Sequence, residues 1–125
     1  MQPVTHEWIE KAEGDFRTAL REFRARKNPN FDAACFHAQQ CAEKYMKAYL
    51  QEKSVSIEKT HDLLRLLSFM PMVVGLQAMK AQLALLSSVA VEFRYPGEQA
   101  SRETAKECIQ ACKSVRTEVQ AILGI

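Results

Sequence analysis

The stretch FDAACFHAQQCAEKYMKAYL, residues Phe31–Leu50, decides the fold. Its apolar and small residues recur at steps of three and four, which places them on one side of an α-helix. They are Phe31, Ala34, Ala38, Ala42, Tyr45 and Tyr49. Because half of these side chains are alanines, a second helix can approach closely, as in the centre of a helical bundle. The pattern predicts that Phe31–Leu50 is the central helix of such a bundle.

A stripe of polar residues borders this buried seam. His37, Gln40, Lys44 and Lys47 follow one another at three, four and three residues, so they share the margin of the same helix. Donors beside a buried face are one way to build a ligand site. The structural alternative is that a half-buried histidine in a bundle only satisfies its own hydrogen bonds, while the lysines are solvated. Both interpretations remain open on spacing alone.

Length and composition limit the class of protein. A chain of 125 residues predicts one domain, residues 1–125, with a core large enough to fold without disulfides. Hydrophobic residues make up 47% and charged residues 26%, the ordinary balance of a globular protein. The net charge of +2 is too small to indicate nucleic-acid binding by itself. Only four glycines and four prolines favour long helices.

The sequence also predicts where the protein resides. The N-terminus has no basic segment followed by an apolar one, so no secretory signal is expected. The longest apolar stretch, Leu63–Leu76, is interrupted by Arg65 and Pro71 and is too short to span a bilayer. These features predict a cytoplasmic location and no membrane partner.

No metal or cofactor is expected. The four cysteines fall within helical patterns and resemble small core residues of a reducing compartment, and none forms a C-x-x-C pair. Glu58 and His61 have the E-x-x-H spacing of di-iron bundles, but such sites need two of these motifs and two further glutamates. We therefore predict neither a zinc nor a di-iron site.

Helical periodicity continues on both sides of the central helix, and no segment alternates with the period of a strand. The predicted elements are a helix from a Thr5 cap to about Lys27, the central helix capped by Asn30, a short helix His61–Phe69 capped by Thr60, a long helix from about Leu76 to Arg94, and a last helix from a Ser101 cap to Gly124. The predicted fold is all-α, an up-and-down bundle of four long helices with one short extra helix between the second and third.

Three further features each have two interpretations. Arg17, Arg21 and Arg24 form either the solvated face of the first helix or a stripe that contacts phosphate. The simpler interpretation of the segment Thr60–Asp62 is a helix cap, although its exposed amides can also bind a phosphate. The simpler interpretation of the segment Arg94–Pro96 is the end of a helix, and the alternative is that Arg94 binds a phosphate.

Four segments spread along the chain form a joint pattern. They are W-x3-A-x2-D at Trp8–Asp15, CFHAQQCAEKYMKAYL at Cys35–Leu50, THDL at Thr60–Leu63 and FRYP at Phe93–Pro96. Together they resemble the HEPN domain family over nearly the whole chain, and F-H-A-Q-Q-x-A-E-K-x-x-K-A is the most specific part. The resemblance implies a helical bundle, a homodimer, a minimal nucleotidyltransferase as partner, and nucleotide binding. Many members of the family are RNA-cleaving toxins of toxin–antitoxin and related defence systems.

The resemblance also implies a candidate site for a nucleotide or an RNA phosphate. Donors from the central helix would be joined by His61 near a helix N-terminus and by the Arg94 corner. The expected binding residues are His37, Gln40, Lys44, Lys47, His61, Arg94 and Tyr95.

The sequence departs from the ribonuclease pattern of the family. Cleaving members carry an arginine followed, after four to six residues, by a histidine. The positions that follow Arg94 at this spacing are Gln99, Ala100 and Ser101. We therefore expect a non-catalytic or weakly active protein that binds a nucleotide or an RNA phosphate. The alternatives are an RNA-cleaving toxin that uses Arg94 with His37 or His61, and an interaction module that dimerises through its apolar Leu63–Val74 region.

Overall fold

The computed structural model describes residues 1–125 and contains six α-helices and no strand. The helices are α1 (Pro3–Arg24), α2 (Phe31–Glu52), α3 (Leu63–Leu67), α4 (Val74–Gln77), α5 (Lys80–Glu92) and α6 (Arg102–Leu123). Three helices of 22 residues form the body of the bundle, and the 13-residue α5 packs beside them. The predicted all-α bundle is confirmed. None of the helices is long and apolar enough to cross a membrane.

Helix α2 is the centre of the bundle, as its alanine seam predicts. Ala34, Ala38, Ala42 and Tyr45 have no exposed surface, and α2 packs against α1, α3, α5 and α6. The buried apolar side chains of all six helices form one continuous cluster. Small side chains on α2 therefore let its neighbours approach closely, and its polar margin is held in a fixed position.

The four cysteines are buried and free, as expected of core residues. They lie between α2 and α6, where Cys35 meets Cys108 and Cys41 meets Cys112. The neighbouring Cys112 side chain, together with burial, raises the pKa of the Cys41 thiol far above its ordinary value. The Cys41 thiol therefore stays protonated and unreactive at neutral pH.

Two helix caps are as predicted. Asn30 Oδ1 accepts from Ala33 N at 2.9 Å at the start of α2, and Ser101 Oγ accepts from Thr104 N at 3.0 Å at the start of α6. Gly124 ends α6 in the left-handed region at φ 75°, which glycine adopts without strain. Each of the two side-chain caps contributes about 1 kcal/mol to its helix.

The predicted cap and end of the first helix are wrong. Helix α1 begins at Pro3, whose fixed φ suits the first helical position. Thr5 is buried inside the helix and donates from Oγ1 to Glu52 Oε1 at 2.9 Å, so it joins α1 to the end of α2. The helix ends at Arg24, three residues before Lys27.

The middle of the chain also differs from the prediction. Asp62, not Thr60, caps α3, because its carboxylate accepts from Leu64 N at 3.0 Å. Thr60 Oγ1 accepts from Asp62 N at 3.1 Å and so supports the cap residue. The third long helix is divided into α4 and α5, because the backbone leaves helical values at Met79, with φ −108° and ψ 22°.

Candidate functional site

A groove of about 630 Å³ runs between α2, the segment before α3, and α5. Three separate parts of the chain form its walls. The lining residues are Phe36, Gln39 and Gln40 of α2, His61, Asp62 and Leu64 around the start of α3, and Ala84, Ser87, Ser88, Ala90, Val91 and Arg94 of α5 and its end. The groove therefore joins an aromatic ring and apolar surface to amides, hydroxyls, a histidine and an arginine, the mixture common in small-molecule sites.

Arg94 is the cation of the groove. It follows the end of α5, and its Nε donates to Ala90 O at 3.3 Å. Its guanidinium carbon lies 6.0 Å from the centre of the Phe36 ring, and it forms no salt bridge. The terminal nitrogens of Arg94 are therefore free to donate to an anion.

A chain of amides orients Gln40. Gln39 Nε2 donates to Glu43 Oε1 at 3.1 Å and to the backbone oxygen of His61 at 3.0 Å. Because both of these atoms only accept, Gln39 presents its own oxygen to Gln40 Nε2 at 2.7 Å. Gln40 keeps its carbonyl oxygen and one N–H for a ligand in the groove.

The buried residue beneath these amides is Glu43. Its carboxylate accepts from Lys47 Nζ at 2.9 Å and from Gln39, and it lies 3.0 Å from His61 Nδ1. Burial by itself would raise the pKa of Glu43, but these three hydrogen bonds outweigh it and lower the pKa below its ordinary value. Glu43 is therefore an anion that anchors the groove wall from inside.

His61 projects from this anchor into the groove. Its side chain is 81% exposed, although Nδ1 is bound to the buried Glu43. Its backbone is held as well, because its carbonyl oxygen accepts from Gln39. The other ring nitrogen, Nε2, has no protein partner and is available to a ligand.

His37 and Lys44 do not line the groove. Both bind the same carboxylate on α1: His37 Nδ1 lies 2.8 Å from Asp15 Oδ1, and Lys44 Nζ donates to Asp15 Oδ2. The His37 ring touches the edge of Phe36, at 5.2 Å between ring centres. This Asp15 cluster of Asp15, His37 and Lys44 therefore connects α1 to α2 next to Phe36.

Lys47 and Tyr95 also lie outside the groove. Lys47 is only 7% exposed and is paired with Glu43, with its Nζ 5.6 Å from the Trp8 ring centre. Tyr95 is 67% exposed and is absent from the lining. Of the seven expected binding residues, the structure brings together three, namely Gln40, His61 and Arg94.

Other sequence features have ordinary partners or none. Arg17, Arg21 and Arg24 are exposed along α1, away from the groove lining. Glu58 forms a two-point ion pair with Arg65, at 2.9 and 2.6 Å.

Several residues that line or support the groove were not predicted from the sequence. Phe36 was overlooked beside His37, and Glu43 beside Lys47, although a Glu–Lys pair four residues apart on a helix is a recognisable signal. Ser87 and Ser88 interrupt the apolar stretch Leu83–Val91, and two adjacent hydroxyls there are a weaker signal. Asp15 lies 22 residues from His37, so spacing along the chain gave no sign of their pairing.

The sequence and the fold define a known class of protein. The family described as HEPN domain matches residues 5–122, and the chain belongs to that family. The chain is similar in structure to TT1696 from Thermus thermophilus, with a TM-score of 0.81 and 22% identity over 96% of this chain and 98% of that one. At this identity the likeness shows a shared fold. No curated protein matches the chain.

Proposed function

We propose that this HEPN protein binds the phosphate of a nucleotide or an RNA in the groove and does not itself catalyse a reaction. The observation that supports this most is the meeting of Gln40, His61 and Arg94, which come from three distant parts of the chain and border one cavity. Their polar groups border a common space, and the Arg94 guanidinium has no anionic partner of its own.

The groove suits a ligand with both a flat ring and an anionic group. Phe36 offers an aromatic surface beside Arg94, and Leu64 and Val91 add exposed apolar area. Stacking of a base on an aromatic side chain contributes about 1–3 kcal/mol. Asp62 is the acidic residue of the lining, and its carboxylate is occupied by the amides of α3.

The charge balance of the site predicts a modest affinity. Lys44 and Lys47 are neutralised by Asp15 and Glu43, so Arg94 is the cation left for a phosphate in the absence of a charged His61. One or two phosphate contacts on a single strand give a shallow salt dependence, with a slope of about 0.7 per contact. Binding is therefore best measured in low salt.

Calorimetric titration with ATP and with a short single-stranded RNA tests this proposal. We expect measurable binding of at least one of them and a loss of about tenfold or more in Arg94→Ala, since a hydrogen bond to a charged group contributes roughly 1.5–3 kcal/mol. Arg21→Ala removes an equal charge from the exposed face of α1 and is the matched control. Absence of heat with both ligands in low salt would contradict the proposal.

RNA cleavage is a second candidate function, favoured by one observation. His61 and Arg94 line the same groove, whereas His37 is held by Asp15 outside it. A cleaving site would thus use His61 to handle a proton and Arg94 to stabilise the phosphate, without the arginine-to-histidine spacing of the family. Incubation of purified protein with cellular RNA tests it, provided that any cleavage disappears in Arg94→Ala.

The partners also belong to this proposal. Family membership supports a role as a single-domain cytoplasmic component of a toxin–antitoxin or defence pair, with a minimal nucleotidyltransferase encoded beside it. The exposure of Met72 (83%) and Val74 (77%) supports a homodimer or partner surface near α4. Light scattering of the protein alone and with the product of the adjacent gene tests both. A monomer that does not change on mixing would contradict them.

A further inference from the structure

The His61 side chain is largely exposed to solvent, yet hydrogen bonds hold the residue in place. Its ring stands 81% in solvent, yet Nδ1 is 3.0 Å from a carboxylate that is only 3% exposed. The segment before α3 is irregular, so it does not orient the ring by itself. The side-chain bond to Glu43 and the backbone bond from Gln39 are what position this histidine.

The chemistry of Glu43 determines which ring nitrogen carries the proton. An ionised carboxylate only accepts hydrogen bonds, so a nitrogen at 3.0 Å from it must be the donor. The lowered pKa of Glu43 keeps that carboxylate ionised at neutral pH. The neutral His61 ring therefore has its proton on Nδ1 and a lone pair on Nε2, the ring nitrogen that has no protein partner.

A lone pair on Nε2 repels the oxygen of a phosphodiester. The ring can donate to that oxygen only after it takes a second proton from solvent, and this proton must be added at Nε2 because Nδ1 already has one. The resulting imidazolium has Glu43 as its counter-charge, shared with Lys47. The other charged groups that face the groove are Asp62 and Arg94.

We infer that Glu43 is a positioning residue that fixes the His61 tautomer, so that a phosphodiester bound in the groove is accompanied by uptake of a proton on His61 Nε2. This inference rests on the proposed binding function and adds to it the role of a residue that does not touch the ligand. It predicts two separate observables, one in the free protein and one in the complex.

The first test needs no ligand. Nitrogen-15 NMR of the histidine rings at mildly alkaline pH should show His61 with its proton on Nδ1. In Glu43→Gln the amide oxygen is expected to face Lys47, which leaves its N–H to donate to Nδ1, and the ring proton should move to Nε2. Glu58→Gln, the same change at an exposed glutamate that binds Arg65, should leave the tautomer unchanged.

The second test measures protons. Titration with a short single-stranded RNA in two buffers of different ionisation enthalpy gives the number of protons taken up, because phosphodiesters themselves do not titrate near neutral pH. We expect uptake of a fraction of one proton for the wild type and for Glu58→Gln. Uptake should fall to near zero in His61→Gln, and in Glu43→Gln if that variant remains folded by circular dichroism.

The two tests separate the inference from the proposed function. If the RNA does not bind at all, the proposed RNA binding fails and the proton uptake fails with it, while the tautomer still decides whether Glu43 positions His61. A wild-type His61 with its proton on Nε2, or RNA binding with equal proton uptake in wild type and His61→Gln, would overturn the inference.

Discussion

Two histidines of this protein make the same bond in different surroundings. His37 lies 2.8 Å from Asp15, and His61 lies 3.0 Å from Glu43, each through Nδ1. The His37 side chain is 30% exposed and shares its carboxylate with Lys44 between two helices, whereas His61 is 81% exposed and borders the groove. A carboxylate–histidine pair is thus structural in one place and open to a ligand in the other.

The difference comes from the element that carries each histidine. His37 is on α2, and its partner Asp15 is on α1, so the bond joins two helices of the core. His61 is on an irregular segment, and its partner is on α2, so the bond ties a loop to the core. Substitution of the histidines should separate these roles, because loss of His37 affects folding and loss of His61 affects binding.

The largest effect is expected from Glu43→Ala. It leaves Lys47 buried without its anion, and removal of one partner from a buried ion pair costs about 3–5 kcal/mol. We expect a loss of about 3 kcal/mol in the free energy of unfolding, measured by urea denaturation. Glu58→Ala, at an exposed pair, should leave the midpoint almost unchanged. Equal losses in both variants would contradict the anchoring role of Glu43.

Asp15→Ala should have the next largest effect on folding. It leaves two donors, His37 and Lys44, without their shared acceptor in a partly buried position. Because both side chains keep some access to water, we expect a loss of about 2 kcal/mol in urea denaturation. Binding of RNA by the folded fraction should be preserved, and a variant that keeps its stability but loses binding would refute the structural role of Asp15.

Acid should weaken the Glu43 anchor by a smaller amount. The folded-state pKa of Glu43 is lowered from its ordinary value of 4.5, so its contribution to stability is complete above that pH and is lost as pH falls through the lowered value. Denaturation midpoints should therefore fall less steeply below about pH 4.5 in Glu43→Gln than in the wild type. Parallel pH profiles of the two proteins would argue against an ionised Glu43.

The smallest effects on stability should come from the histidines themselves. His37→Ala removes one partly buried hydrogen bond and should cost about 1 kcal/mol. His61→Ala removes a largely exposed ring and should not change the denaturation midpoint measurably. A larger loss of stability in His61→Ala than in His37→Ala would contradict the comparison on which the site assignment depends.

The sequence predicted the fold through local rules that the structure follows. The alanine seam, the Asn30 and Ser101 caps and Gly124 are each defined by a few neighbouring residues. Thr5 and Thr60 were predicted as caps because threonine often caps helices, but Thr5 is buried against Glu52, and Asp62 takes the position expected for Thr60. These errors arise from tertiary contacts and from competition between adjacent cap residues.

The site was predictable only in part. Spacing on α2 placed His37, Gln40, Lys44 and Lys47 on one margin, and it could not tell which would meet an acid. Asp15 reaches this margin from another helix and occupies two of the four. The meeting of Gln40 with the distant His61 and Arg94 depends on how α3 and α5 pack against α2, which no local pattern encodes.

The most direct test of the site is the affinity of a short single-stranded RNA for three variants, measured by calorimetry in low salt. We predict that Arg94→Ala and His61→Ala weaken binding by about tenfold or more, since each removes a donor to phosphate, while His37→Ala stays within about twofold of the wild type. Wild-type affinity in Arg94→Ala and His61→Ala, or the main loss in His37→Ala, would contradict the assignment of the groove as the binding site.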